Sequence, residues 1–481
     1  MFFQILVCLY NSCAQVYISN EAREFLLRGA TQEVSMRFVI IGGDAAGMSA
    51  ASRARRKDPD LEIVVLEQTR DVSYSACGMP YTMASADRTM EELVVRPAGV
   101  FREKYAIDLR LGHQATAIDP RGKRVEGKTD AGERFDLAYD ALLLATGASP
   151  VVPEIFGVDL EGVHLLKSLE QGRGIKAHLD RGGVRRAVII GMGYIALEMA
   201  ETLQRRGVST RMVKPRPRLL PWLDKQLADA VQAELEDKGV ELFPGTGVQR
   251  IERNASGLVC RCDGMDLEAD MVLAAIGVKP NSDMAAAAGL ELGPEQAIAV
   301  NHLLQTSQPD IYSAGDCADA RHLVTGQKTW IPLALVANRG GRVVADNVTG
   351  GRSLLEGIVG TAVFKVFGLE VAKTGINRQE AEASGFDPAS VTISARTRAH
   401  AHPGSGKILV HMVGDRNSGR LLGVQMVGQE GAAHRINAPA VALHAGMSVD
   451  RFARTDLAYA PPFGPVWDPM LTAANQLLKQ M

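Results

Sequence analysis

Residues 37–41 (RFVII) are apolar and β-branched, the pattern of a strand buried on both faces. A glycine turn follows, then a helix from about Ala46 to Lys57 that stops before Pro59; a second apolar run, LEIVVLE, ends at Glu67. This order predicts a strand–helix–strand unit with parallel strands. The order returns over roughly 184–214, in RAVIIGMGYIALEMAETLQRRG and the strand after it. YDALLLATGASP predicts a strand before a Gly-Ala turn and Pro150, and MVLAAIGVKPN echoes it later, as duplicated architecture would. Between the first unit and Gly132 lie a cysteine segment, DVSYSACGMPY, and a polar stretch. An amphipathic helix is expected over about 224–238. DIYSAGDCADA predicts a short strand with a Gly-Asp turn, and WIPLALVANRGGRVVADNVTGG a helix with a glycine stop. From about Ile358 alternating segments (GTAVFKVFGLEVAKTG, KILVHMVGD, LLGVQMVGQ) predict an antiparallel sheet with helices.

Each glycine turn suits a dinucleotide. The backbone must bend sharply, and a Cβ would obstruct the pyrophosphate, which then meets free N–H groups at a helix start. In the first turn Gly42 and Gly47 take the outer positions, while Asp44 replaces the middle glycine and is expected to point away or bond locally. Glu67, ending the second strand, is placed to take ribose hydroxyls. The second turn is more regular, with Gly191, Gly193 and Ala196 matching G-x-G-x-x-A. Glu198 either reaches the nicotinamide end or simply favours the helix dipole. Where an acidic ribose ligand is expected, Lys214 stands instead, followed by Arg216 and Arg218. These cations suit a 2′-phosphate, so NADPH should serve at least as well as NADH; the alternative is a solvated basic surface. Two dinucleotide sites with a lone cysteine between them describe a flavoprotein that draws electrons from a nicotinamide and passes them to sulfur. Cys77 is the thiol, needing a positive local field to ionise, which a helix start or the flavin site would supply.

With these residues in view, the chain resembles the pyridine nucleotide–disulfide oxidoreductases, in the single-cysteine branch of coenzyme A disulfide reductases, persulfide reductases and NADH oxidases. The resemblance runs from about Met36 to the C-terminus, through GGDAAGMSAASRARR, SYSACGMPY, ATGASP, GMGYIALEMAE, SAGDCAD and TDLAYAPPFGPVWDP. It implies an α/β fold with two Rossmann-like dinucleotide-binding domains and an α+β C-terminal dimerisation domain. The expected division is 36–150 with 284–350 for FAD, 151–283 for NAD(P)H and 351–481 for dimerisation, with 1–35 outside the fold. It implies that Ala145, Thr146, Gly147 and Asp316 hold the flavin. Tyr459 reaches the other subunit's flavin and cysteine, and Arg56, Ser73 and His322 contact coenzyme A. Tyr459, or His402, would protonate the leaving thiolate. Two departures touch the coenzyme A pocket: Ala76 stands where the family often has Asn, and Ala401-His402-Pro403-Gly404 replaces a Tyr-Tyr-Pro-Gly stretch. Arg53, Arg55, Arg56 and Lys57 close the first helix, either as a solvated end or as an anchor for coenzyme A phosphates.

Composition narrows the partners. The 481 residues are 46% hydrophobic and 22% charged, enough for several domains, and a formal charge of -2 argues against general nucleic-acid binding. No apolar run reaches the ~20 residues of a membrane span. MFFQILVCLY is short, and the first basic residue is Arg23, so residues 1–35 read as an extension preceding a second possible start at Met36. Six cysteines without a disulfide spacing fit a reducing cytoplasm, and Cys260 and Cys262 are too close for a zinc pair and read as strand residues, leaving no metal set. The expected activity is therefore FAD-dependent NAD(P)H reduction of coenzyme A disulfide, persulfide or polysulfide by a homodimer. The alternatives are an NAD(P)H oxidase that reduces O₂ through Cys77–SOH, and a redox-sensing flavoprotein that binds nicotinamide.

Overall fold

The computed structural model describes residues 36–481, and the extension expected over 1–35 lies outside the described residues. Each glycine turn sits at the end of the central strand of a five-stranded parallel sheet. In the first, β1 (Arg37–Ile41) leads through the turn to α1 (Ala45–Lys57) and back to β2 (Glu62–Glu67). In the second, β3 (Arg186–Ile190), α2 (Tyr194–Arg205) and β4 (Ser209–Lys214) repeat the path. β1 lies between β2 and Ala141–Leu144, and β3 lies between β4 and Met271–Ala274, so both central strands are paired along both edges, and the burial of consecutive side chains shows that both faces are covered as well. That is why both read as unbroken apolar runs: Phe38, Val39 and Ile40 are buried, as are Val188 and Ile189.

The first sheet is completed by Asp108–Leu111 at one edge and by Ile311–Ser313, which returns from far along the chain to pair with Ala141–Leu144. The second is completed by Val163–Leu165 and Glu241–Pro244. The stretch expected to be merely polar, up to Gly132, instead contains most of a three-stranded antiparallel sheet (His113–Asp119, Arg124–Thr129, Arg134–Ala138). Its middle strand alternates exposed and buried positions, so half its residues are exposed and the apolar signal is diluted. A matching sheet, Val248–Asn254, Gly257–Cys262 and Met265–Ala269, decorates the second unit, and Cys260 and Cys262 are buried in it.

The two echoing segments meet. Ala148–Pro150 pairs antiparallel with Val278–Pro280, so the exits of both sheets are tied together. The helix Ala334–Val348 lies across α1 so closely that a Cβ on Gly341 would overlap the Ala46 carbonyl. Arg53 fixes the crossing by an ion pair to Asp346 at 2.9 Å. Beyond it, five antiparallel strands in the order Ala362–Val366, Leu369–Gly375, Leu421–Gly428, Lys407–Asp415, Pro388–Arg396 form the third sheet, covered by helices that include Pro469–Leu478. Among the described residues no helix is long and apolar enough to cross a membrane.

Candidate active site

The first turn opens onto a cavity of about 500 Å³, lined among others by Gly42, Gly43, Glu67, Ala145, Thr146, Gly147 and Asp316. Gly42 has φ +110°, and a Cβ there would run into the Ala145 carbonyl oxygen; a Cβ on Gly47 would run into that of Gly42. The glycines are thus required by the chain itself, which can then expose N–H groups at the start of α1. Glu67 holds the turn from the end of β2. Its carboxylate accepts from Gly43 N (2.8 Å), Thr69 N (2.7 Å) and Thr69 Oγ1 (2.8 Å). Thr146 Oγ1 donates to the Asn281 carbonyl at 2.6 Å, and Asn281 Nδ2 donates back to the Thr146 carbonyl at 2.8 Å. An elongated cavity running from Gln68 and His113 past the helix start to Ala76, with an acidic strand end and free N–H groups, fits a flavin dinucleotide. Asp44 does not point away, the first of the two arrangements expected of it. It lines the cavity at the N-cap of α1 without a side-chain capping bond.

Cys77 lies in a short 3₁₀ turn (Ala76–Gly78) that runs into the helix Met79–Met83. Its loop is fastened to the glycine turn, because Ser73 N donates to the Gly43 carbonyl at 3.1 Å, and Ser73 itself is held at φ +50°. A non-glycine residue in that region stores about 1 kcal/mol or more, and such strain collects at working sites. Arg173 braces the loop from outside through Asp71 (2.7 Å). Cys77 is exposed, whereas Cys260, Cys262 and Cys317 are buried. Its neighbours Tyr74 and Ala76 line the cavity. The local field is not the positive one the sequence led us to expect. Although the residue keeps an exposed surface, the protein packed around its sulfur pushes the Cys77 thiol up, the Glu198 charge adds to this, and Lys167 is the first opposing cation. Tyr81 OH donates to Glu198 Oε1 at 2.7 Å, joining the cysteine helix to α2. Burial raises the Glu198 carboxyl, and the Tyr81 bond opposes that rise.

In the second turn Gly191 has φ +121°, and a Cβ there would run into the Ala275 carbonyl. Apart from its own chain neighbours, no described residue lies within 4 Å of where a Cβ on Gly193 would sit, and Ala196 is fully buried behind it. Space is therefore kept free at the start of α2, which fits the pyrophosphate of a nicotinamide dinucleotide. At the end of β4, Lys214 Nζ donates to the Arg218 carbonyl at 3.0 Å. Burial, then Arg216, holds the Lys214 ammonium below its usual range. Arg216 and Arg218 stay exposed.

Tyr459 lies on the segment 454–460, 48% exposed, and is not among the residues lining the cavity. With Phe463 (79%), Val466 (67%) and Trp467 (63%) it forms an exposed apolar stretch. His402 is close to it in the chain's path, since Ala399 N donates to the Pro461 carbonyl at 3.1 Å. His402 Nδ1 is within 3.0 Å of the Pro403 carbonyl. The basic end of α1 divides: Arg53 and Lys57 face Asp346, Arg55 donates to the Tyr105 carbonyl at 2.9 Å, and Arg56 is left exposed. His322 is buried, its Nδ1 without a hydrogen-bond partner, and burial lowers its pKa.

Sequence reasoning missed Lys167, Tyr81 and Trp330. Lys167 Nζ bonds Asp316 Oδ2 at 2.8 Å and lines the cavity, and Trp330 Nε1 donates to the Asp316 carbonyl at 2.8 Å. Burial works against the Lys167 ammonium, yet Asp316 outweighs it and lifts the group. No spacing in the chain announces a pair 149 residues apart; Tyr81 at least stood inside the cysteine motif.

The family model for pyridine nucleotide-disulphide oxidoreductase matches residues 36–341, and that for the dimerisation domain of the same family matches 361–470. An NAD(P)H sulfur oxidoreductase (CoA-dependent) of Pyrococcus furiosus is 39% identical over 447 residues, 92% of this chain and 99% of the relative. An NADH oxidase of Methanocaldococcus jannaschii is 33% identical over 447 residues, 93% of this chain and 99% of the relative. Among solved structures, an NAD-dependent persulfide reductase from A. fulgidus superposes with a TM-score of 0.89 at 38% identity, over 92% of this chain and 83% of that one.

Proposed function

The chain belongs to the pyridine nucleotide-disulphide oxidoreductase family, and on that premise we propose an FAD-dependent NAD(P)H reductase of coenzyme A disulfide, persulfide or polysulfide that works through Cys77. One observation carries the assignment: Cys77 sits in the loop that lines the flavin-fitting cavity, and among the described residues there is no second exposed thiol to form an internal disulfide with it. Bound FAD supplies the relay of an electron pair from NAD(P)H to sulfur.

The residues divide the work as follows. Gly42, Gly47, Glu67, Ala145, Thr146, Gly147 and Asp316 hold the flavin, with Lys167 fixing Asp316. Gly191, Gly193 and Ala196 admit the nicotinamide dinucleotide. Glu198, steadied by Tyr81, stands at its reacting end, and Lys214 and Arg216 stand at its ribose. Cys77 Sγ attacks one sulfur of the acceptor as a thiolate; the S–S bond breaks, a Cys77 mixed disulfide forms and the first thiol leaves with a proton. The partner's Tyr459 supplies that proton, with His402 nearby. The electron pair and one further proton then cleave the mixed disulfide, release the second thiol and return Cys77. The resting enzyme stores the oxidising equivalent as Cys77–S–S–CoA or Cys77–SOH.

Arg56, Ser73 and His322 are the coenzyme A contacts in this scheme. Arg56 is the one cation of its cluster left exposed without a described ion pair, and His322 has a ring nitrogen to offer. The exposed stretch from Tyr459 to Trp467 is the surface that a homodimer covers. Functionally the chain divides at 36–150 with 284–350 (flavin), 151–283 (nicotinamide) and 351–481 (dimer contact). Four free cysteines among the described residues support a reducing, cytoplasmic setting. The relative named NADH oxidase favours a second reading, O₂ reduction through Cys77–SOH. Cys77→Ser should bind flavin, keep its yellow colour and lose at least about a thousandfold in disulfide turnover, as deletion of an attacking group does; turnover that survives the change overturns the proposal. Oxygen uptake without added disulfide separates the second reading from the first.

A further inference from the structure

Asp44 is left unused by the function proposed above. It takes the place of the middle glycine in the first turn, lines the cavity and makes no side-chain capping bond to α1. Five carboxylates line this cavity (Asp44, Glu67, Asp71, Asp283 and Asp316), against one ammonium, Lys167, and one imidazole, His113. Most are committed. Asp71 is paired with Arg173, Glu67 accepts the Gly43 and Thr69 donors, and Lys167 is held by Asp316. The groups acting on Asp44 are Lys167 ahead of the helix Leu169–Asp180, Tyr74 and Cys77 from the cysteine loop, Glu67 at the end of β2 and Asp316 in the Gly-Asp turn. Among the described residues no arginine lines the cavity to neutralise a dianion. A flavin dinucleotide brings two phosphate charges to the N-terminus of α1.

We propose that Asp44 carries a proton in the flavin-loaded protein, so that taking up FAD takes up one proton from the solvent. A protonated carboxyl donates a hydrogen bond to a phosphate oxygen, whereas a carboxylate repels it. Burial already pushes the Asp44 carboxyl up to about 6, with Lys167 and the Tyr74 backbone N–H pulling the other way. Two phosphate charges raise it further. The sign follows from linkage: the loaded state binds the extra proton, so affinity is full at low pH and falls as pH rises past the empty-site value.

The inference rests on the flavin reading of the cavity. Its test is the dissociation constant of FAD, read from flavin fluorescence as the holoenzyme is diluted between pH 5.5 and 8.5. Wild type should weaken about tenfold per pH unit above the Asp44 value until the loaded carboxyl ionises. Asp44→Asn and Asp44→Ser should be flat, and both should hold FAD more tightly than wild type at the alkaline end. A flat wild-type profile overturns the proposal. So does a slope that survives in both variants, which would belong to another group, or weaker binding by both variants at every pH. Purified wild type without flavin would instead overturn the flavin reading itself.

Discussion

The two nucleotide units are nearly the same object built twice, yet they are dressed for different ligands. Both place the glycine turn after the central strand of a five-stranded parallel sheet, and in both the first glycine is pinned against the carbonyl of the strand next door, Ala145 for Gly42 and Ala275 for Gly191. The differences lie at two points. The middle of the turn is a carboxylate facing a cavity in the first unit and empty space at Gly193 in the second. The end of the second strand is Glu67, satisfied by Gly43 and Thr69, in one, and Lys214 with exposed arginines behind it in the other. The scaffold is therefore set by backbone sterics, and the ligand by a few side chains at strand ends, where they cost the fold little.

The comparison breaks first at the pinned glycines. Gly42→Ala and Gly191→Ala place a Cβ against backbone with φ far positive, and each should cost about 3 kcal/mol or more by thermal unfolding. The consequences should differ: Gly42→Ala should be purified without flavin absorbance, while any folded Gly191→Ala should stay yellow and lose NAD(P)H binding. Gly193→Val should sharpen the contrast. With no protein atom near the new side chain, melting should hardly change, while KM for NAD(P)H should rise roughly a hundredfold, since the space it fills is the ligand's. A large drop in melting temperature would mean the space is structural after all. Next in size, Arg216→Ala should lower kcat/KM for NADPH about tenfold and leave NADH nearly untouched, the loss of one charge-assisted phosphate contact. Equal loss for both nucleotides would make these cations ordinary surface. Smallest is Glu67→Gln, which keeps the shape but weakens the bonds to Gly43 and Thr69. FAD affinity should fall about three- to tenfold at constant pH, and fluorescence titration would read it.

The α1 and α2 helices also differ in what covers them. α1 is pressed by the helix Ala334–Val348, whose Gly341 permits the approach. α2 is gripped by the third sheet, where the buried Glu201 carboxylate accepts from Phe367 N at 2.8 Å and Lys365 Nζ at 3.0 Å. α2 thus touches the sheet matched as the dimerisation domain, while α1 is held within its own unit.

Read as a string, this protein declares its repeated units, its glycine turns, Glu67 and Cys77. Local sterics demand those residues at those spacings, and periodicity reports a strand buried on both faces directly. The decorating antiparallel sheet near residue 113 escaped, because a half-exposed sheet spreads its apolar signal thinly. Only folding decided that Asp44 faces the cavity, that Lys214 closes on its own loop while Arg216 and Arg218 stay free, and that Lys167 and Tyr81 join the site. These depend on contacts between segments far apart in the chain, and on which charges share one desolvated space. No local pattern encodes that sum.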